Sequence, residues 1–180
     1  MRTIEQLNVH ELREHIIKNW MTHDGAWFFH CLKSYGIEEA NRLNKAAIKT
    51  LAGFEFKRAK GLFGIEKITT FKDIREAIDA VFSVSKGDFM GFSYSFPEED
   101  LLAWEWPDND CFAYQGMKRL GTTKDYQCGV LYRVLCWLDE AGIIYAVEPT
   151  INGCLINTLG ECRGKVRFSL PKQVGRGVVS

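Results

Sequence analysis

The sequence predicts an α+β fold in which N-terminal helices pack on a mostly antiparallel sheet. Apolar residues recur at intervals of three and four over 1–86, which is the spacing of an amphipathic helix face. After Gly87 aromatic and small polar residues alternate instead, as they do in strands. Helices that come first and strands that follow are typical of α+β proteins. We expect one domain over 1–170, helical over 1–86 and sheet-rich over 87–170, with a tail over 171–180.

Helices are predicted for the N-terminal half because apolar residues return to one face in each of four segments: 9–21, 22–36, 37–64 and 69–86. Gly36 is a plausible stop, since glycine readily adopts the left-handed conformation in which many helices end. Thr70 with Asp73 three residues later resembles a capping box and predicts the start of the fourth helix.

The C-terminal half is predicted to hold one helix, over 128–142, inserted before the last three strands. Short runs rich in aromatic and β-branched residues predict five strands: 88–96, 100–108, 143–149, 151–157 and 163–170. In the second of these, Leu102, Trp104 and Trp106 share one side, which we expect to face the helices.

Charge and composition exclude some classes of partner. Lys+Arg and Asp+Glu both number 23, so the chain has no positive excess of the kind that nucleic acid or an anionic membrane surface would attract. No stretch approaches the roughly 20 apolar residues that span a bilayer. The charged N-terminus lacks the apolar segment of a secretory signal. We therefore expect a cytoplasmic protein without nucleic-acid or membrane partners, and a homodimer remains an alternative.

Three cysteines stand at the boundaries of predicted elements. Cys128 opens a helix, and Cys154 and Cys162 flank a short turn. Three thiolates that converge would suit zinc, whose ligands about 2.3 Å from the ion lie roughly 4 Å apart. For the fourth ligand, Glu148 is the nearest acidic candidate and His23 the best remote one. The spacing alone leaves three interpretations open: buried core thiols, a metal site, and a disulfide or redox pair.

The other two cysteines of the C-terminal half are expected to lie outside this group. Cys136 stands two helical turns after Cys128, which predicts a place in the core. Cys111 is likewise expected to stay apart.

The C-terminal stretch YAVEPTINGCLINTLGECRGKVRFSL resembles the end of the vinyl-4-reductase-type ligand-binding domain, and the resemblance covers roughly 88–170. That family shares its fold with haem-based nitric-oxide sensors and vesicle-tethering subunits. It closes with an acidic residue, a cysteine, a glycine turn, a second cysteine eight positions on and a short strand. In ligand-sensing relatives three cysteines and the acid bind zinc. The resemblance therefore implies a zinc site on four residues: Cys128, Cys154, Cys162 and Glu148. The acid of the family usually lies nearer to the first of the paired cysteines, where this chain has Ile151.

Two further resemblances concern the two ends of the chain. NWMTHDGAWFF, over 19–29, resembles the opening of an uncharacterised prokaryotic family of similar length. The C-terminal end is also similar to hydrolases of 2-aminothiazoline-4-carboxylate, which end in a similar Gly-x-Cys turn. This second similarity implies a hydrolase.

One helix face in the N-terminal half is a candidate ligand site. His23, Trp27, His30 and Cys31 follow one another at helical spacing, so they share a face. We expect this face to look across at the aromatic sheet as the wall of a pocket, with His23 as its polar anchor. In the alternative, His23 and Asp24 serve a helix start while the tryptophan and the cysteine fill the core.

The aromatic residues of the sheet allow two interpretations. Trp104 and its neighbours either pack as core or line an apolar cavity for an aromatic ligand. The first function predicted is therefore a small-molecule binding protein with a cysteine-based zinc site. The second is a hydrolase of a small heterocycle or amide, with Cys154 or Cys128 as nucleophile or with a metal-bound water and His23 as base. The third is an interaction subunit with a large dimer interface and no enclosed cavity.

Overall fold

The computed structural model describes residues 2–170, so the predicted tail over 171–180 lies outside the described part. The helices are α1 Val9–Phe63, α2 Phe71–Ser85, α3 Phe112–Leu120, α4 Gly129–Glu140 and α5 Leu155–Leu159. The strands are β1 Ser93–Glu98, β2 Leu101–Glu105, β3 Ile144–Glu148 and β4 Arg163–Ser169. Short 3-10 turns occupy Ile4–Gln6, Asp88–Met90 and Pro107–Asn109. The predicted α+β class is confirmed.

Helix α1 consists of two helices that meet at Gly36. There the backbone has φ 81° and ψ 173°, which favours glycine because it has no Cβ to clash. The first half begins at Asn8, whose side-chain oxygen accepts a hydrogen bond from the Glu11 N–H at 2.8 Å. The predicted stop at Gly36 is confirmed, and 9–35 forms one continuous helix.

Helix α2 begins as its sequence predicts. The Thr70 hydroxyl accepts a hydrogen bond from the Asp73 N–H at 3.1 Å, and the Asp73 carboxylate accepts one from the Thr70 N–H at 2.9 Å. This reciprocal pair satisfies two N–H groups that the first turn of a helix would otherwise leave without a partner. The capping box is therefore confirmed.

The four strands form one antiparallel sheet in the order β1-β2-β4-β3. Its inner face carries Leu102, Trp104, Val166 and Phe168, all buried against the helices. Trp104 lies opposite Gly164 in the ladder between β2 and β4. A Cβ on that glycine would lie 2.5 Å from Cζ2 of Trp104, so the indole occupies space that any other residue would fill.

The prediction of three strands after α4 is wrong, because the segment 151–157 contains no strand. β3 pairs directly with β4, and α5 lies between them in the chain. Cys154, Leu155 and Ile156 are buried in succession, as in one packed turn of helix, whereas a strand with one solvent face would alternate. A short apolar run of this kind does not distinguish helix from strand by its period. Helix α3 was not predicted either.

The helices cover the inner face of the sheet. The second half of α1 packs along α4, where the Glu55 carboxylate accepts hydrogen bonds from both the Arg133 guanidinium and the Trp137 indole N–H. None of the helices in residues 2–170 is long and apolar enough to cross a membrane.

Candidate ligand cavity and cysteine cluster

A cavity of about 480 Å³ lies between the helices and the inner face of the sheet. Helices α1, α3 and α4 and strand β2 all contribute to its wall. Aromatic rings dominate the buried part of the lining: Phe28, Phe82, Phe92, Trp104, Trp106 and Trp137. The volume lies within the range of about 300–1,000 Å³ that is usual for small-molecule sites. A predominantly apolar lining is also usual for such sites.

The charged residues of the cavity wall are mostly cationic. Lys18, Lys86 and Arg119 line the cavity, and none of them has a carboxylate within ion-pair distance among the residues that the structure describes. Lys18 and Arg119 are exposed, which places them where the cavity opens to solvent. Asp24 is the acidic residue in this wall. We call the three cations the cationic mouth.

The predicted ligand-binding face of α1 points away from the cavity. The His23 side chain is 78% exposed, its Nδ1 lies 3.7 Å from Asp24, and Trp27 is 37% exposed. His30 is exposed as well and packs edge-on against Phe29. None of the three lines the cavity, so their assignment to its wall is corrected.

A neighbouring face of the same helix lines the cavity instead, through Met21, Asp24, Gly25 and Phe28. Because this stretch is apolar on more than one side, the spacing of its residues does not determine which face turns inward. Of the four residues predicted to bind ligand, only Trp104 lines the cavity, and its contact with a ligand stays a prediction.

Four cysteines stand at the starts of helices and strands near the cavity, and two of them, Cys111 and Cys128, directly precede the wall residues Phe112 and Gly129. Cys111, Cys128 and Cys154 are the N-cap residues of α3, α4 and α5, and Cys162 stands directly before β4. Cys128 is partly buried and the other three are buried. We call this set the cysteine cluster.

Hydrogen bonds between loops bring the segments of the cysteine cluster together. The Trp106 N–H donates to the Cys162 carbonyl at 2.9 Å, and the Asn109 side chain donates to the Gly160 carbonyl at 2.7 Å. These bonds join the loop before α3 to the turn before β4. Asn41, which is buried in α1, binds the carbonyl of Asp125 at 2.8 Å and so holds the loop before α4.

The four thiols lie within electrostatic range of one another. Burial raises the pKa of both Cys128 and Cys162 to about 12, and it also raises the pKa of Cys111. Charge on each of the other three cysteines raises the pKa of Cys162 further. Charge on Cys154 raises the pKa of Cys128 and the pKa of Cys111. Charge on Cys111 raises the pKa of Cys128. Every pair of the four therefore interacts.

Backbone N–H groups act in the opposite direction on two of these thiols. The N–H groups of Leu131 and Val130 lower the pKa of Cys128, which burial raises, and those of Tyr114 and Ala113 have the same effect on Cys111, although neither thiol accepts a capping hydrogen bond from the described residues. These groups belong to the first turns of α4 and α3, where free N–H groups favour a negative charge. The local backbone is therefore arranged to stabilise thiolates if they form.

The sulfurs are more widely spaced than the ligands of a single zinc ion. Over residues 2–170, the only three ligand atoms that lie within 4.8 Å of one another come from His10, Glu14 and Asp88. The predicted spacing of roughly 4 Å among three cysteine sulfurs is therefore not met. A cysteine side chain turns about a single torsion, χ1, so closing the cluster on one ion would require rotations between staggered positions.

The group of His10, Glu14 and Asp88 is mostly exposed and has a structural explanation. His10 Nε2 lies 3.1 Å from the Asp88 carboxylate, and the Asp88 N–H donates to Glu14. Arg13 already supplies a positive charge 4.0 Å from the same carboxylate. The group ties the first turns of α1 to the 3-10 turn at Asp88–Met90.

Glu148 does not belong to the cysteine cluster. Its side chain is 71% exposed and lies 3.1 Å from Lys165, its partner across the ladder between β3 and β4. Alternation along β4 puts Lys165 on the outer face, whereas Val166 faces the core. The assignment of Glu148 as a metal ligand is therefore corrected.

The sequence predicts Cys111 outside the group, but its thiol lies within electrostatic range of the other three cysteines. The sequence signal was a cysteine directly before a helix, and it was missed because α3 itself was not predicted. Cys136 lies apart in the core, as predicted.

Trp104 connects the cavity and the cysteine cluster. Its side chain is buried and lines the cavity, while its indole N–H has no hydrogen-bond acceptor among residues 2–170. The same N–H lies near Cys162 and lowers the pKa of that thiol, against the larger effect of burial. A buried N–H without a partner is uncommon, and a thiolate at Cys162 would supply the acceptor.

These features define an α+β protein with an apolar cavity between helices and sheet and four cysteines near it. Over residues 3–85 the chain matches a family model described as a family of unknown function (DUF6125). The match covers α1 and α2 and none of the sheet. No curated protein and no solved structure matches the chain. An uncharacterised family was expected for the N-terminal half, and the vinyl-4-reductase resemblance of the C-terminal half stays a prediction.

Proposed function

We propose that the protein binds a small molecule with an apolar, aromatic body in the cavity between helices and sheet. The observation that carries this proposal is the cavity itself, about 480 Å³ in volume and lined by the six aromatic rings named above and by the ring of Tyr126, all of them buried. Water gains few hydrogen bonds at such a wall, so an apolar ligand that displaces it is favoured.

The cationic mouth specifies the other end of the ligand. Lys18, Lys86 and Arg119 have no carboxylate partner in the described chain, and two of them stand where the cavity meets solvent. A guanidinium fits a carboxylate with two parallel hydrogen bonds, and a lysine adds a mobile positive charge. The ligand is therefore an amphipathic anion, with its rings inside the cavity and a carboxylate at the mouth.

The proposal also includes a metal on Cys128, Cys154 and Cys162, and a single zinc ion there would require these side chains to rotate toward it. Support comes from the electrostatic influence of these thiols on one another and from the indole N–H of Trp104, which lies near Cys162. All six cysteines are free, which suits the cytoplasmic location that we expect from the sequence.

The hydrolase alternative is less well supported. With a pKa near 12, the thiol of Cys128 is protonated at neutral pH in the absence of a metal, and a protonated thiol is a poor nucleophile. His23, the predicted base, faces solvent outside the cavity. The cavity also favours a binding protein over an interaction subunit, which was predicted to have none.

The proposal is tested by filling the cavity. Gly116 lies in α3 in its wall, and a Cβ at that position would meet no atom within 4 Å. Gly116→Leu should weaken the binding of 1-anilinonaphthalene-8-sulfonate, an aromatic anion, by at least about tenfold, because the new side chain occupies the space of the rings. Fluorescence titration of the folded protein measures the affinity.

Gly61→Leu is the matched control, since Gly61 is helical and equally unobstructed but does not line the cavity. Both changes replace a helix-weakening glycine, so both should leave the melting temperature the same or higher. Unchanged affinity in Gly116→Leu, or equal losses in the two variants, would refute binding in this cavity.

A further inference from the structure

We propose that Cys111 completes the metal site, so that Cys111, Cys128, Cys154 and Cys162 bind one metal centre through four thiolates. This inference rests on the metal part of the proposed function and deepens it. It makes Cys111 the fourth metal ligand, a role for which Glu148 was the candidate in the sequence analysis.

The first support is the way in which the chain brings the four residues together. Three of them are the residues at which helices begin, and the fourth stands directly before β4. The hydrogen bond between Trp106 and Cys162 joins the segment that leads to Cys111 to the start of β4. The four positions are 17, 26 and 8 residues apart in the chain, so only the tertiary fold makes them neighbours.

The second support is the set of hydrogen-bond donors around the sulfurs. Cys111 and Cys128 are the N-cap residues of α3 and α4, so the free N–H groups of those first turns lie next to their side chains. The buried indole N–H of Trp104 lies near Cys162 and lacks an acceptor in the described part of the chain. Donors of this kind orient and stabilise metal-bound thiolates. Without a cation, four thiolates in this apolar setting would repel one another, and a metal removes that repulsion.

The third support concerns the class of metal. Four thiolates and no carboxylate select a soft or borderline metal, either zinc or the iron of an iron–sulfur cluster. No three of these sulfurs lie within 4.8 Å of one another. A polynuclear cluster holds its thiolates farther apart than one ion does, because several irons and sulfides stand between them. In either case four protein ligands leave no position for a reactive water, so the centre is structural or carries electrons.

The experiment measures metal binding by the whole chain. Protein purified without oxygen is analysed for zinc, iron and acid-labile sulfide, and the metal-free reduced protein is then titrated with Co²⁺ as an optical probe. We expect one metal centre per chain in the wild type. In Cys111→Ser, the Co²⁺ affinity should fall by at least about tenfold, with loss of sulfur-to-cobalt charge-transfer absorption.

Two variants serve as controls. Cys136→Ser removes a buried cysteine outside the cluster, and Glu148→Gln removes the acid that the sequence suggested. Both should keep the wild-type Co²⁺ affinity and spectrum. If Cys111→Ser does not fold, alkylation of the wild type with iodoacetamide gives the same information, because bound Co²⁺ should protect Cys111 and leave the reactivity of Cys136 unchanged.

Three outcomes would overturn the proposal: wild-type Co²⁺ affinity and spectrum in folded Cys111→Ser, loss of metal in Glu148→Gln, or alkylation of Cys111 that bound Co²⁺ does not slow. Iron with an equal amount of labile sulfide would identify an iron–sulfur cluster, and zinc alone a single ion, each on the same four thiolates.

Binding of 1-anilinonaphthalene-8-sulfonate by the same samples tests the cavity independently of the metal site. A protein that binds metal but not the dye would contradict only the ligand cavity. A protein that binds the dye but not metal would contradict only the metal site.

Discussion

Replacing Glu55 with alanine is expected to lower the free energy of unfolding by about 3–5 kcal/mol. The side chains of Glu55 and Arg133 are only 10% and 12% exposed, and the guanidinium stacks between Trp20 and Trp137 at 5.4 and 5.6 Å. Without its carboxylate, Arg133 would remain in this setting as a buried charge without a counter-ion. Chemical denaturation monitored by circular dichroism measures the change.

The control for this prediction is an exposed pair of the same chemistry. Glu39 contacts Arg42 one helical turn away at the surface of α1, and Glu39→Ala should leave the free energy of unfolding nearly unchanged. The double change Glu55→Met and Arg133→Leu should recover most of the loss, because it removes both buried charges. A cost below about 1 kcal/mol for Glu55→Ala would contradict the burial of this ion pair.

If the cysteine cluster binds the proposed metal, its removal is expected to lower the melting temperature by about 10 °C or more. The cluster joins the starts of α3, α4 and α5 to the start of β4, so the free energy of metal binding becomes free energy of folding for this half of the chain. For a domain of this size, each kcal/mol changes the melting temperature by roughly 2–4 °C. Calorimetry with and without a strong chelator, under reducing conditions, measures the change.

Cys154→Ser should melt at the temperature of the chelated wild type, and the chelator should have little further effect on it. Cys31→Ser offers a comparison, because Cys31 is a buried cysteine in α1 far along the chain from the cluster. A wild-type protein that loses its metal and still melts at the same temperature would contradict a structural role for the centre.

Local signals in the sequence predicted the ends of the N-terminal helices. The break at Gly36 and the start at Thr70 each depend on the backbone chemistry of one or two residues, so the sequence alone contains them. The burial of Trp104 followed from alternation along a single strand. A strand was predicted in place of the short helix α5, because Cys154, Leu155 and Ile156 form an apolar run too short to show a helical or a strand period.

The candidate site was harder to predict because it depends on which faces meet. The helix that carries His23 is apolar on several sides, and only packing against the sheet decides that Phe28 points inward while Trp27 does not. Membership of Cys111 in the cluster follows from the position of the loop before α3, which no local pattern gives. The outward direction of Glu148, by contrast, was readable, because the strand in which it lies alternates regularly.

Binding of an amphipathic anion in the cavity is tested most directly by comparing a charged and a neutral probe of similar shape. The anion is 1-anilinonaphthalene-8-sulfonate and the neutral probe is N-phenyl-1-naphthylamine. We expect the double variant Lys18→Met and Arg119→Met to weaken binding of the anion by about tenfold and to leave binding of the neutral probe unchanged. The double variant Lys67→Met and Lys124→Met changes the net charge equally at exposed positions outside the cavity and should bind both probes like the wild type. Equal losses for both probes, or no binding of either by the wild type, would contradict a site with an apolar interior and a cationic mouth.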